Sequence, residues 1–179
     1  GATEVQIPKT QSTVYLKEIS VPQGYKLNTS SFNVALVAGE TTSVAVTNQE
    51  QKGKITVRKN GEVLKGVTGT EGNLNFVYEN ASYAGAKYTV YAAEDIYSQD
   101  KVTKIQLETG TDGSSTTAEL YLGTYKIVEQ QAPYGLVIGK TAEERTQNVT
   151  LTYAGQTVEL ATGEASYTNA RPDISVKVV

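Results

Sequence analysis

The sequence predicts an all-β chain folded as an antiparallel β-sandwich. Three observations carry that prediction. Apolar and polar residues alternate with period two in segment after segment, as side chains do along a strand. The segments are short, and turn signals built on Gly, Pro and Asn separate them. Gly, Thr, Val and Tyr are prominent, a β-branched and aromatic bias that suits pleated surfaces. No stretch has the length and period of a long helix.

The elements follow in chain order. In VYLKEISVPQGY, Val14, Leu16 and Glu18 share a strand face, and Pro22 and Gly24 mark a turn. TTSVAVTN places Val44, Val46 and Asn48 on one face. GKITVRKNGEVL places Ile55, Val57 and Lys59 on one face, with Lys54, Thr56 and Arg58 opposite. Asn60-Gly61 then reads as a tight turn. A strand is expected from Lys87 to Ala92, with a helical turn from Ala93 to Ile96. DKVTKIQLET is another strand, TGTDGSSTT a turn-rich connection, and AELYLGTYKIVE strand again. QQAPYG is a turn, and TQNVTLTYAGQTVEL reads as a hairpin around Ala154-Gly155. GEASYTN closes the set, with Ala165, Tyr167 and Asn169 on one face.

Composition removes several function classes. A chain of 179 residues suffices for one good core or two small ones. Net charge is −3 and the isoelectric point about 5.1, against the basic face that nucleic acid requires. No apolar run approaches membrane-spanning length, so no membrane insertion is expected. No signal peptide is read, and the opening Gly-Ala looks like a processed or recombinant start. There is no cysteine, hence no disulfide and no thiolate nucleophile. There is no histidine, which removes the commonest general base and the commonest metal ligand. No cofactor and no metal site are expected.

A repeat organises the chain. Glu129 precedes Pro133 by the interval that separates Glu18 from Pro22, and each glutamate extends an apolar strand face. Asn48 and Asn169 each end a later apolar face, and a polar linker and a new alternating strand follow each. Matching the two asparagines places Val176 on Ile55 and Val178 on Val57. The chain therefore divides into the C-terminal half of one repeat (1–50), a complete repeat (51–170) and the first strand of a third (171–179).

The complete repeat places Lys59, Glu129 and Asn169 on otherwise apolar faces. Singly, each reads as a strand end emerging into solvent. Together they suggest one buried cluster. A buried Lys–Glu ion pair scarcely offsets its desolvation. Burial lowers a lysine pKa and raises a glutamate pKa, so the two can exchange a proton and both become neutral. A neutral amine is a nucleophile, and a neutral carboxyl can polarise the asparagine carbonyl. Contact supplies proximity. The product is a Lys–Asn amide with loss of ammonia. Lys54 and Lys65 are the competing amines, and Lys54 faces the wrong way.

These residues resemble a known family. GKITVRKNGEVL, GAKYTVYAAEDI, the Glu-to-Pro-x-Gly motif in YKIVEQQAPYG and the closing SYTN are similar to the Cna B-type domain, also called prealbumin-like or SpaA-type. The resemblance implies a β-sandwich of inverse immunoglobulin type. It implies a stalk or spacer role in Gram-positive surface adhesins and pilins, at the cell wall. It also implies an intramolecular isopeptide bond between Lys59 and Asn169, with Glu129 as its catalyst. The turn here is Pro-Tyr-Gly-Leu where the family usually has Pro-x-Gly-Tyr, and Gly61 to Tyr83 is longer than in compact members. The partners implied are neighbouring repeats, with host ligands reached through other domains.

Glu18 and Asn48 are then the vestigial counterparts in the partial repeat, where Lys9 and Lys17 are poor amine candidates. Strand exchange through that incomplete repeat is a further expected route to a partner. Two other functions compete with the stalk. An adhesive binding module for host protein or glycan would use the tyrosine-rich stretch from Asn75 to Tyr97. An enzyme with turnover would draw on Glu94-Asp95, Asp100 or Glu143-Glu144, which read more simply as solvated surface. Asp112-Gly113 reads as a turn and lacks calcium-loop spacing. The expectation is no enzyme beyond a single-turnover cross-link.

Overall fold

The computed structural model describes residues 2–22, 24–92, 104–160, 169, 171 and 172. The expected helical turn at 93–96, Ala165, Tyr167, the carboxylates at 94, 95 and 100, and the strand from 173 onward lie outside the described residues. The chain divides into two units, Gly1–Gln51 and Lys52–Val179.

In the first unit, β1 (Thr13–Lys17), β2 (Tyr25–Lys26), β3 (Ser31–Ala35) and β4 (Gln49–Glu50) form two antiparallel pairs, β1 with β3 and β2 with β4. The Pro22–Tyr25 turn is closed by Tyr25 N–H donating to Pro22 O at 3.3 Å. Val34 is its one buried apolar side chain among the described residues.

The second unit opens with β5 (Lys52–Arg58), β6 (Asn60–Thr70), β7 (Asn73–Ser82), β8 (Lys87–Ala92) and β9 (Ile105–Glu108). It continues with β10 (Ser114–Thr116), β11 (Leu120–Tyr121), β12 (Gly123–Gln131), β13 (Thr146–Leu151) and β14 (Thr157–Leu160). One sheet orders β10-β5-β11, with β14 also on β5; the other orders β13-β12-β8-β9. Every pairing is antiparallel except β14 on β5. The apolar row of β5, Ile55 and Val57, is fully buried. So are Tyr88, Val90 and Ile127 from the second sheet, with Tyr125 and Leu151 almost so. This is the expected all-β sandwich.

Three local expectations are corrected. Asn60-Gly61 is no turn: both residues belong to β6, paired with Ser82 and Ala81. Gly61 serves close packing instead, since a Cβ there would lie 2.8 Å from Leu136 Cδ1 and 3.2 Å from Tyr83 Cε2. The reversal comes later, at Glu71-Gly72, where Gly72 has φ +84°. The hairpin around Ala154-Gly155 is also absent. The chain does turn there, but β14 joins β5 in the other sheet rather than returning along β13. Part of the turn-rich connection, Ser114–Thr116, is strand paired with β5.

The stretch from Asn60 to Ser82 is thus a long two-stranded hairpin. One of its faces carries Leu64, Val67, Leu74, Phe76 and Tyr78, all 37–57% exposed. At its base Arg171 stacks on the Tyr78 ring at 3.6 Å and pairs with Glu62 at 2.8 Å.

Candidate functional site

Alternation on β5 carries Lys59 inward, directly after Ile55 and Val57. Its backbone stays anchored beyond the strand end: Lys59 N–H donates to Gly113 O at 2.7 Å, and Tyr83 N–H donates to Lys59 O at 2.9 Å. Alternation on β12 carries Tyr125, Ile127 and Glu129 inward in one row, with Lys126 and Gln130 exposed. Glu129 lies opposite Tyr88 in the ladder, next to a bulge between Glu129 and Gln131.

The two sheets bring these groups together. Lys59 Nζ lies 3.1 Å from Glu129 Oε1, with side chains 0% and 1% exposed. Asn169 Nδ2 donates to Glu129 Oε2 at 3.0 Å, and Asn169 is 5% exposed. One carboxyl thus bridges the amine and the amide. Asn169 Oδ1 is buried and accepts no hydrogen bond among the described residues. Burial pushes the Lys59 amine below its ordinary pKa, and the Glu129 carboxyl opposes that shift through its charge and its hydrogen bond. Such an amine is more readily neutral than a surface lysine.

The competing lysines stand elsewhere. Lys54 is exposed, and Lys65 pairs with Glu79 at 2.6 Å on the outer hairpin. Glu143 and Glu144 sit in an exposed turn, where Glu144 Oε2 accepts from Lys140 N–H at 2.6 Å. Asp112 accepts from Ser114 N–H at 3.0 Å and from its hydroxyl at 2.6 Å, which holds its carboxyl below the usual range.

The first unit holds a matching pair. Asn48 Nδ2 donates to Glu18 Oε2 at 2.6 Å, the same atoms in the same roles as Asn169 and Glu129. Glu18 Oε2 also accepts from Asn28 N–H at 2.7 Å. Both side chains are half-buried. The turn is repeated too: Leu136 N–H donates to Pro133 O at 3.1 Å, and Gly24 and Gly135 have φ +90° and +84°.

Sequence reasoning missed Gly113, which packs on the Lys59 backbone. Its φ is +74°, and a Cβ there would lie 2.7 Å from Lys59 O. Asp112-Gly113 signals a turn in the sequence, but nothing local shows what the turn touches. It also missed Tyr88, whose place beside Glu129 follows only from the β8–β12 register.

A family model described as SpaA, prealbumin-like fold domain, matches residues 78–166. No curated protein sequence matches the chain. Among solved structures, the Bacillus anthracis TIE protein shares the fold at TM-score 0.56 and 23% identity, over 89% of this chain and 25% of that one. A streptococcal ancillary pilin aligns at TM-score 0.42 and 21% identity, over 89% of this chain and 42% of that one. GBS52, the minor pilin of Streptococcus agalactiae, aligns at 0.44 and 19%, over 90% and 66%. The chain thus spans a quarter of the TIE protein's length. Over residues 78–166 it is similar to the SpaA prealbumin-like domain, and its fold class is the all-β, prealbumin-like sandwich.

Proposed function

We propose that the chain is a stalk or spacer segment of a Gram-positive cell-surface adhesin or pilin, stiffened by a self-formed Lys59–Asn169 isopeptide bond. The observation that carries this reading is the single buried carboxyl of Glu129, 3.1 Å from the Lys59 amine and 3.0 Å from the Asn169 amide. With the Lys–Glu proton exchanged, the neutral Nζ attacks Cγ of Asn169. Glu129 gives a proton to the departing Nδ2 and takes one from the attacking Nζ, so ammonia leaves and the carboxyl is regenerated. A half-turn of the amide would put Oδ1 against the same carboxyl, which could then polarise the carbonyl. Contact geometry replaces a substrate-binding step. The residues do not turn over, so this is one event per chain rather than enzymatic activity.

The bond would tie the end of β5 to Asn169 and enclose nearly the whole second unit. The chain-entropy model for cross-links gives about 4–5 kcal/mol for a loop of about 100 residues. A pull on the ends of the unit would pass through the amide, a substitute for disulfides in a cysteine-free chain. On this reading the segment is one of several repeats, 51–170 being complete and 1–50 and 171–179 belonging to its neighbours. Intact mass after denaturation tests the bond: one ammonia is lost, and the loss disappears in Asn169→Ala and Lys59→Ala.

The exposed apolar face of the β6–β7 hairpin favours a second reading, an adhesive binding module. Phe76 and Leu74, 53% and 57% exposed, would then anchor a protein or glycan ligand. Ligand affinity lost on Phe76→Ser, with the ammonia loss intact, would single out that role.

A further inference from the structure

The two outer edges of the β6–β7 hairpin differ. On β6 the edge is broken. Its register shifts at Lys65, between Leu64 and Gly66, and the Tyr83 hydroxyl donates to Glu62 O at 2.9 Å. A bulge and charged side chains discourage the addition of a further strand. The edge of β7 has no such protection. Asn73–Ser82 contains no proline, and Glu79 is its only charged residue. Asn73 to Asn80 are all exposed or half-exposed. Among the described residues no third strand joins this two-stranded sheet. The outer main-chain groups of β7 are thus a template for another strand.

We infer that this edge pairs with itself: two copies of the chain join through residues 73–79 of β7, antiparallel and centred on Phe76. That register sets Leu74 opposite Tyr78 of the second copy, Asn75 opposite Val77 and Asn73 opposite Glu79. Phe76 meets Phe76. Leu74, Phe76 and Tyr78 already share a face with Leu64 and Val67, so the two hairpins make one four-stranded sheet with continuous apolar rows. The one charge of β7 meets an asparagine, and Lys65 of its own chain holds it at 2.6 Å. Like charges are therefore not opposed. The pairing is isologous, and it closes at two copies because the remaining edges are the blunted β6 strands. It uses none of Lys59, Glu129 and Asn169, and so stands apart from the cross-link and from the stalk reading.

Sedimentation of the full chain over a range of concentrations tests this. Monomer should convert to dimer and to nothing larger. Phe76 is 53% exposed, so replacing it disturbs no core. Phe76→Lys and Phe76→Glu each set like charges opposite one another and should weaken the dimer by a factor of about ten or more. Mixed in equal amounts, the two variants should dimerise again, because lysine then faces glutamate. Tyr134→Lys, on a fully exposed turn, should leave the dimer unchanged. A chain that stays monomeric to millimolar concentration would overturn the inference. So would open-ended aggregation, a dimer that survives Phe76→Lys, or a mixture of the two charged variants that stays monomeric.

Discussion

Lys59 and Glu129 meet between the two sheets of the second unit, Nζ to Oε1 at 3.1 Å, and neither side chain reaches solvent. An ion pair so placed gains little net stability, because desolvating both charges offsets most of their attraction. Apolar residues of similar size would fill the space at least as well. The pair is better accounted for by what lies on its other side, the amide of Asn169 3.0 Å from the second carboxyl oxygen. Converting amine and amide into one cross-link removes a buried ammonium and leaves a neutral bond.

Glu129→Gln keeps the size of the side chain and removes its acidic proton. The chain should then keep its full mass, with no ammonia lost. Urea unfolding should show a stability deficit of about 4–5 kcal/mol from the missing cross-link. Ammonia loss at the normal rate in this variant would remove Glu129 from the chemistry.

In Asn169→Ala the Lys59 amine is not consumed and still titrates. Burial holds its folded pKa below the ordinary 10.5 despite the opposing Glu129 charge. Between that lowered value and 10.5 the unfolded chain binds more protons at this site than the folded chain. Stability of the variant should therefore rise with pH across that window, and the penalty should be complete below the folded pKa. In the cross-linked chain the nitrogen is an amide and contributes no such slope. Urea midpoints of the two proteins across the alkaline range measure the difference.

Lys54→Ala and Lys65→Ala should both leave the ammonia loss intact. Lys54 points outward, and Lys65 is held to Glu79 on an exposed strand, a contact worth about 1 kcal/mol or less. Mass spectrometry of the two variants checks this directly.

Gly113→Ala should destabilise the unit by about 1–3 kcal/mol, since φ is +74° and the new Cβ would press on Lys59 O and Ser82 Cβ. Thermal unfolding measures the cost. Because the strain falls on the Lys59 backbone, bond formation during refolding should slow as well.

Much of this site was legible in the sequence, and the reason is the strictness of strand alternation. Once Ile55 and Val57 are inward, Lys59 must be inward as well; the same holds for Glu129 after Tyr125 and Ile127. The Pro-x-Gly turn was legible because Gly24 and Gly135 sit at positive φ, where a side chain is costly. What escaped was pairing. Asn60-Gly61 carries the local signature of a turn, yet Tyr83 and Leu136 fix Gly61 as a strand residue by packing closely on it. Ala154-Gly155 does reverse the chain, but a turn signal does not state which sheet the next strand joins. Tyr88 reached Glu129 through a register that no local pattern encodes.

The proposed bond between Lys59 and Asn169 is tested most directly by a peptide map. Trypsin digestion of the denatured chain should yield one branched peptide. Tandem mass spectrometry should place its branch between Lys59 and Asn169, with no cleavage after Lys59. Recovery of linear peptides carrying an unmodified Lys59 and an intact Asn169 would contradict the account. The buried cluster would then be an unreacted polar group in a prealbumin-like sandwich.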